Sequence, residues 1–188
     1  MDTATVKWWK AGRAVAPDGS GETARIHVDC QVMDVPVGIS VLNAAIGAGI
    51  YIPSLCNHPD LSPAEQRCNS GSGCNLCLVE VEGRPGLHKA CSLPVEEGMR
   101  IGTQSADIFR ARQENLAKIL GKHPHVCLTC PNREGCSRSQ CSFGNPPETR
   151  CCSIFASCEL RKVSDFINIP NNTPVYKPAA LPVVTNEP

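Results

Sequence analysis

Residues 73–83 read Gly-Cys-Asn-Leu-Cys-Leu-Val-Glu-Val-Glu-Gly, so that two cysteines, Cys74 and Cys77, stand directly ahead of a short apolar run. The run from Leu78 to Val81 is rich in residues that favour a β-strand. A Cys-x2-Cys pair in a glycine-bearing loop is a spacing typical of metal binding. The stretch therefore predicts a metal-binding loop that leads into a sheet.

The chain as a whole is rich in thiols, with 13 cysteines in 188 residues. Apart from Cys30, they fall into two fields, which are Cys56, Cys68, Cys74, Cys77 and Cys91, then Cys127, Cys130, Cys136, Cys141, Cys151, Cys152 and Cys158. Disulfides would require an oxidising compartment, but the stretch from Met1 to Gly12 lacks the apolar segment of a secretory signal. We therefore expect a cytoplasmic protein whose clustered cysteines bind metal.

Charge and hydropathy exclude two classes of partner. Lys plus Arg equals Asp plus Glu, at 18 each, and no basic stripe alternates with aromatic residues, so nucleic acid is not an expected partner. The uncharged run over residues 35–56 is long enough to cross a bilayer. Because prolines and glycines interrupt it repeatedly, we expect a strand, a helix and a loop, with no insertion into a membrane.

The first half predicts a small α+β module. Residues 23–28 alternate as a strand does, and residues 32–37 can return as the second arm of a hairpin, with Cys30 in the turn and without a metal role. Ser40 stands where the N-cap of a helix belongs, ahead of an apolar run that ends at Gly47 or Gly49.

The short sequence motifs around the first group of cysteines resemble those of a known family. They are Ile52-Pro-Ser-Leu-Cys56-Asn-His-Pro, Gly73-Cys74-Asn-Leu-Cys77-Leu-Val-Glu-Val-Glu-Gly and Ala90-Cys91-Ser-Leu-Pro-Val-Glu-Glu-Gly-Met. These resemble the N-terminal module of the large iron-sulfur subunit of complex I, with related segments in iron-only hydrogenases and in the small diaphorase subunit of NAD-reducing hydrogenases. The resemblance implies a β-grasp, ferredoxin-like domain over residues 1–103, with residues 1–22 as an extension, that holds a 2Fe-2S cluster.

Five cysteines compete for the four ligand positions of that cluster. Cys56, Cys74, Cys77 and Cys91 match the family by their flanking words, whereas Cys68 replaces Cys56 in a near-ferredoxin Cys-x5-Cys-x2-Cys spacing. We predict the set with Cys56 and keep Cys68 as its substitute. The thiolates would bind the irons, while Gly71 and Gly73 would let backbone N–H groups approach the sulfurs.

A second unit begins with a predicted helix. Ser105 can cap it, Phe109, Leu116, Ile119 and Leu120 give it an apolar face, and Gly121 ends it. His123-x3-Cys127-x2-Cys130-x5-Cys136 follows, which resembles the family's 4Fe-4S site of one His and three Cys. His125 is the alternative histidine. The resemblance implies a small helical 4Fe-4S domain over residues 104–168.

The fourth ligand of that site has two candidates. Cys136 fits by spacing, but the family's Cys-Glu-Leu words and the helix that follows them occur at Cys158, whose apolar residues would be Leu160, Val163 and Ile167. We predict His123, Cys127, Cys130 and Cys158, with Cys136 as substitute. The remaining Cys136, Cys141, Cys151 and Cys152, in an insert over residues 131–157, are predicted to hold a second 4Fe-4S cluster, although one of the adjacent pair 151–152 could instead be free or disulfide-bonded.

The resemblance implies an electron-transfer subunit of a multi-subunit oxidoreductase. Because the sequence shows neither a Gly-rich dinucleotide fingerprint nor a phosphate-cradling loop, we expect no substrate-binding active site of its own. Its expected partners are a flavoprotein that exchanges electrons with NAD(P)H and a catalytic subunit of hydrogenase, formate dehydrogenase or electron-bifurcating type. Residues 169–188 predict an extended Pro-rich tail, after which the family usually continues into a bacterial-type ferredoxin domain. Either that domain belongs to another subunit, or this chain is a segment of a longer one.

Two other classes of function remain open from the residues. A zinc-stabilised interaction module would use the same cysteines, although zinc ribbons usually place their Cys-x2-Cys pairs close together, unlike these two pairs in separate units. A redox sensor without partners would need a DNA-binding or signalling element, and the sequence shows none.

Overall fold

The computed structural model describes residues 22–57, 73–136, 140–169 and 176. Cys68, the N-terminal extension and nearly all of the predicted tail therefore lie outside the described residues. The described part is a mixed sheet with helices, which confirms the predicted α+β class.

The first two strands form the predicted hairpin. β1 (Thr23–Val28) pairs antiparallel with β2 (Gln31–Pro36). Asp29 in the turn has φ of 50°, a left-handed conformation that Asp tolerates better than most residues. Its carboxylate accepts hydrogen bonds from the Thr103 amide at 2.8 Å and the Thr103 hydroxyl at 2.6 Å. The turn is thus tied to the chain that leaves the sheet for the second unit.

Three further strands complete the described sheet in the order β2-β1-β5-β3-β4. β3 (Leu78–Val81) and β4 (Arg84–Lys89) form an antiparallel hairpin, and β5 (Arg100–Gly102) lies between β1 and β3. β5 runs parallel to β1 and antiparallel to β3. Because β3 begins one residue after Cys77 and β4 ends two residues before Cys91, this hairpin brings two predicted ligands together.

The first helix, α1 (Val41–Gly47), begins where the sequence predicts. The Ser40 hydroxyl accepts a hydrogen bond from the Asn43 amide at 3.2 Å, which satisfies one of the free N–H groups of the first turn. Val41, Leu42, Ala44 and Ala45 are buried against the sheet in the first hydrophobic core.

A second core lies between two further helices, α2 (Ala106–Leu120) and α3 (Glu159–Ile167). It also takes in residues from the connecting segments, and its fully or largely buried members are Leu76, Leu116, Leu120, Leu128, Phe155, Leu160, Val163 and Ile167. The predicted apolar side of α3 is thereby confirmed. On α2, Leu116 and Leu120 are buried as predicted, but Ile108 and Arg112 complete the buried face, and Phe109 and Ile119 are only half-buried.

None of the helices in the described ranges is both long and apolar enough to span a membrane.

Ser105 links the two units, because it caps α2 and also contacts the sheet. Its hydroxyl accepts a hydrogen bond from the Ile108 amide at 3.2 Å and donates one to Glu80 at 2.7 Å.

Loss of a helix N-cap such as that of Ser105 costs about 0.5–2 kcal/mol. We therefore expect Ser105→Ala to lower the melting temperature of the anaerobic protein followed by circular dichroism. Ser153→Ala, at an exposed site, should leave it unchanged; equal effects of both variants would contradict the cap's role.

Candidate metal centre

The first pair of predicted ligands comes from two loops that are far apart in sequence. Cys56 follows α1, and Cys74 precedes β3, yet their sulfur atoms lie 3.5 Å apart. Two thiolates on one tetrahedral metal, with bonds of about 2.3 Å, are separated by about 3.8 Å. This pair is therefore spaced as two ligands of a single iron would be.

The second pair, Cys77 and Cys91, is held by the β3–β4 hairpin. Both side chains are buried, and the Cys91 thiol hydrogen-bonds to Cys77. The Ala90 amide donates to the Cys77 carbonyl at 2.8 Å, which continues the strand ladder up to the two thiols. The hairpin register thus fixes their separation.

Hydrogen bonds to the sulfurs act in opposite directions on Cys74 and Cys77. The Leu55 amide donates to the Cys74 sulfur at 3.4 Å, and the Leu76 amide also donates to it. The hydrogen bond from Cys91 lowers the pKa of Cys77 despite the burial of this thiol. In contrast, the shared hydrogen bond with Cys56, together with burial, raises the pKa of Cys74, as expected of two thiols that share a proton until a metal replaces it.

The two thiol pairs together offer the donor set of a binuclear cluster. Cys56 of the first pair is close enough to Cys77 of the second pair for its charge to act on that thiol. A 2Fe-2S cluster takes two protein thiolates on each of its irons. The four sulfurs and their amide donors therefore suit such a cluster, which would exchange single electrons.

Helix α2 supports the loop that carries Cys74 and Cys77. Asn115 donates to the Asn75 carbonyl at 2.9 Å, and Arg112 donates to the carbonyls of Leu76 at 3.0 Å and Leu78 at 2.7 Å. Burial lowers the pKa of Arg112 to about 10, against the attraction of the Cys77 thiolate. The sequence analysis missed both residues, since neither belongs to a motif.

In the second field, three cysteines gather beside the second core. The Cys151 amide donates to the Cys127 sulfur at 3.3 Å, and Cys158 packs against the same core. Burial, and then the neighbouring charges of Cys127 and Cys158, raise the pKa of Cys151 to about 12. The structure therefore brings together Cys127 and Cys158, two predicted ligands of the first 4Fe-4S site, and adds Cys151, which the sequence analysis grouped with the insert.

Three other cysteines, Cys130, Cys136 and Cys141, line a small hollow together with Cys127. Arg133 and Arg150 also line this hollow. Asn145 donates to the Cys141 sulfur at 3.3 Å, and this bond lowers the pKa of Cys141. Cys152, the remaining predicted insert ligand, is exposed.

The two candidate histidines differ in burial. His123 is exposed, and its Nδ1 lies 2.8 Å from the Pro124 carbonyl oxygen. His125 is buried, and its Nδ1 lies 2.8 Å from the His123 carbonyl oxygen. Metal-binding histidines usually donate one ring N–H to such an acceptor and bind metal through the other nitrogen. This geometry suits either residue, so the choice of His123 stays a prediction.

Comparisons with known proteins bear on the first unit most strongly. Residues 21–106 match the family described as the 2Fe-2S iron-sulfur cluster binding domain. The chain is 36% identical over 111 residues to the NADP-reducing hydrogenase subunit HndD of Solidesulfovibrio fructosivorans, covering 59% of this chain and 19% of that protein.

Two further relatives match a comparable part of the chain. The mitochondrial NADH-ubiquinone oxidoreductase 78 kDa subunit of Candida albicans is 34% identical over 59% of this chain and 14% of its own length. The NADPH-Fe(3+) oxidoreductase subunit alpha of Geobacter sulfurreducens is 32% identical over 63% of this chain and 13% of its own length. The chain thus spans less than a fifth of these relatives.

A solved structure extends the likeness over more of the chain. The crystal structure of an NAD+-reducing NiFe-hydrogenase in the H2-reduced state has a TM-score of 0.56 and 25% identity, covering 83% of this chain and 54% of that chain. The thiol pairs of the first unit lie within residues 21–106, so this part of the chain is similar to the 2Fe-2S iron-sulfur cluster binding domain both in sequence and in the cysteines that it brings together.

Proposed function

We propose that this chain is an electron-transfer subunit of a cytoplasmic multi-subunit oxidoreductase. It would pass single electrons between a flavin-bearing subunit linked to NAD(P)H and a catalytic subunit, of hydrogenase, formate dehydrogenase or electron-bifurcating type. The observation that carries the proposal is the pairing of Cys56 with Cys74 and of Cys77 with Cys91 around one loop and one hairpin. The names of the relatives, all of them NAD(P)H-linked, support it.

In this proposal the first unit, to residue 103, binds the 2Fe-2S cluster through those four thiolates. The cluster would accept and donate one electron at a time. The chain's own contribution is to bury Cys77 and Cys91, to direct the Leu55 and Leu76 amides at Cys74, and to support the loop from α2. Such hydrogen bonds to sulfur stabilise the added negative charge of the reduced state.

The second unit, over residues 104–168, is proposed to hold a 4Fe-4S cluster through His123, Cys127, Cys130 and Cys158. Two observations support Cys158 over Cys136. Cys158 is the N-cap of α3, the position that the Cys-Glu-Leu motif predicts, and it packs on the same core as Cys127. The insert over residues 131–157 is proposed to hold a further 4Fe-4S cluster with Cys136, Cys141, Cys151 and Cys152.

The described ranges contain twelve cysteines, a clustering that suits metal binding in a reducing compartment. Cys127 and Cys130 line the same hollow as Cys136 and Cys141, so the two proposed cluster sites of the second unit would be adjacent. The second core, which has Cys74 at its edge, connects this region with the first unit.

Metal content tests the proposal. Protein purified anaerobically from its native source should be brown and contain acid-labile sulfide, with roughly ten irons per chain if all three clusters are present or about six without the insert cluster. The same preparation should contain a flavoprotein as a co-purifying subunit. A colourless chain with stoichiometric zinc would contradict the proposal and favour the zinc-stabilised module.

A further inference from the structure

The guanidinium of Arg112 is buried without an ion-pair partner among the residues that the structure describes. Arg112 is fully buried within α2, and an ionised group in such a place normally requires an opposite charge. Two of its nitrogens donate to the carbonyls of Leu76 and Leu78, while its Nη1 is buried without a hydrogen-bond partner in the described part of the chain. Carbonyl oxygens satisfy N–H groups, but they carry no net charge.

No described side chain forms an ion pair with it either. Asp29 attracts Arg112 without contacting it, since its two carboxylate oxygens bind Thr103, at 2.8 and 2.6 Å. Tyr51 is also close, but burial raises the pKa of its hydroxyl, which therefore stays neutral at physiological pH. No carboxylate forms an ion pair with Arg112 among the residues that the structure describes, whereas exposed arginines such as Arg25 and Arg110 have such partners.

The guanidinium lies instead beside a predicted cluster ligand, Cys77. Arg112 binds the carbonyls on both sides of this cysteine, so its guanidinium is fixed beneath the ligand loop. A 2Fe-2S cluster built from two ferric ions, two sulfides and four thiolates carries a net charge of minus two, and reduction adds one more negative charge. A fixed cation in a medium of low dielectric stabilises the reduced state more than the oxidised one.

We propose that Arg112 is the built-in counter-charge of the 2Fe-2S site, and that its buried guanidinium raises the reduction potential of the cluster held by Cys56, Cys74, Cys77 and Cys91. Arg112 is thus a positioning and tuning residue rather than a ligand. The inference rests on the proposed function only in requiring that this cluster be present.

The experiment is a redox titration of the full, cluster-loaded chain, followed by electron paramagnetic resonance at temperatures where only the 2Fe-2S spectrum remains sharp. Arg112→Gln should move the midpoint potential of this cluster to more negative values with its iron content unchanged. Arg112→Lys keeps the charge but cannot reproduce both carbonyl bonds, so its potential should remain close to that of the unaltered protein. Arg110→Gln is the matched control, since it removes the same charge from an exposed site on the same helix and should cause no shift.

An unshifted potential in a loaded Arg112→Gln protein would overturn the proposal, and so would equal shifts in the Gln and Lys variants, because these would assign the effect to the carbonyl bonds. If Arg112→Gln fails to load, Arg112→Met provides the second neutral variant. Failure of both neutral variants to load while Arg112→Lys does would support the counter-charge, whereas failure of all three would overturn it. Absence of a 2Fe-2S spectrum from the unaltered chain would instead contradict the proposed function itself.

Discussion

Cys74→Ala and Cys77→Ala are each expected to abolish the 2Fe-2S spectrum and to remove about two irons per chain. Each substitution removes a thiolate from a different pair, so either one leaves an iron with a single protein ligand. Nothing nearby in the described ranges can replace Cys77, which is almost fully buried within the hairpin. Visible absorption, paramagnetic resonance and iron analysis of the anaerobic protein provide the measurement.

Cys30→Ala is the matched control, because Cys30 is an exposed thiol in the β1–β2 turn. It should keep the full spectrum and iron content. A 2Fe-2S spectrum that survives in either the Cys74 or the Cys77 variant would remove that residue from the ligand set.

The same measurement decides between Cys56 and Cys68. Cys56 lies 3.5 Å from Cys74, sulfur to sulfur, so we expect Cys56→Ala to lose the 2Fe-2S spectrum and Cys68→Ala to retain it. Loss in the Cys68 variant with retention in the Cys56 variant would reverse the assignment.

Local signals in the sequence predict the helices well. Ser40 and Ser105 cap α1 and α2 as expected, since a capping bond joins residues only three positions apart. The hydrophobic period of α3 places Leu160, Val163 and Ile167 in the core for the same reason. Each of these interactions is determined within one or two turns of chain.

What the sequence did not predict depends on contacts between distant segments. β4 includes Pro85 and Gly86 and lacks the alternation of a typical strand. It lies at the edge of the described sheet, where proline is tolerated, and pairing with β3 stabilises it there. Arg112 interrupts the apolar face of α2, and its partners are carbonyls 34 and 36 residues away. No periodicity reveals such a partner.

The grouping of thiols in the second field shows the same limit. Spacing along the chain places Cys151 next to Cys152 and favours a shared role, but adjacent side chains leave the backbone in different directions. In the structure Cys151 is half-buried beside Cys127, while Cys152 is exposed. Spacing identifies a metal-binding segment more reliably than it assigns each cysteine to a cluster.

Cys127→Ala and Cys158→Ala are each expected to remove the spectrum of the first 4Fe-4S cluster and roughly four irons per chain, while the 2Fe-2S spectrum is kept. Both thiols pack on the second core, and Cys158 is also the N-cap of α3. Cys30→Ala again serves as the unaffected control.

Cys136→Ala separates the two candidates for the fourth ligand. Cys136 lines one hollow with Cys141 of the insert and with Cys127 and Cys130 of the first site. On the proposed assignment its loss should remove iron from the insert and leave the first 4Fe-4S spectrum in place. Retention of that spectrum in the Cys158 variant, combined with its loss in the Cys136 variant, would make Cys136 the ligand. The helix that follows Cys158 would then stabilise the second core without binding the cluster, and the regular Cys-x2-Cys-x5-Cys spacing would outweigh the Cys-Glu-Leu context.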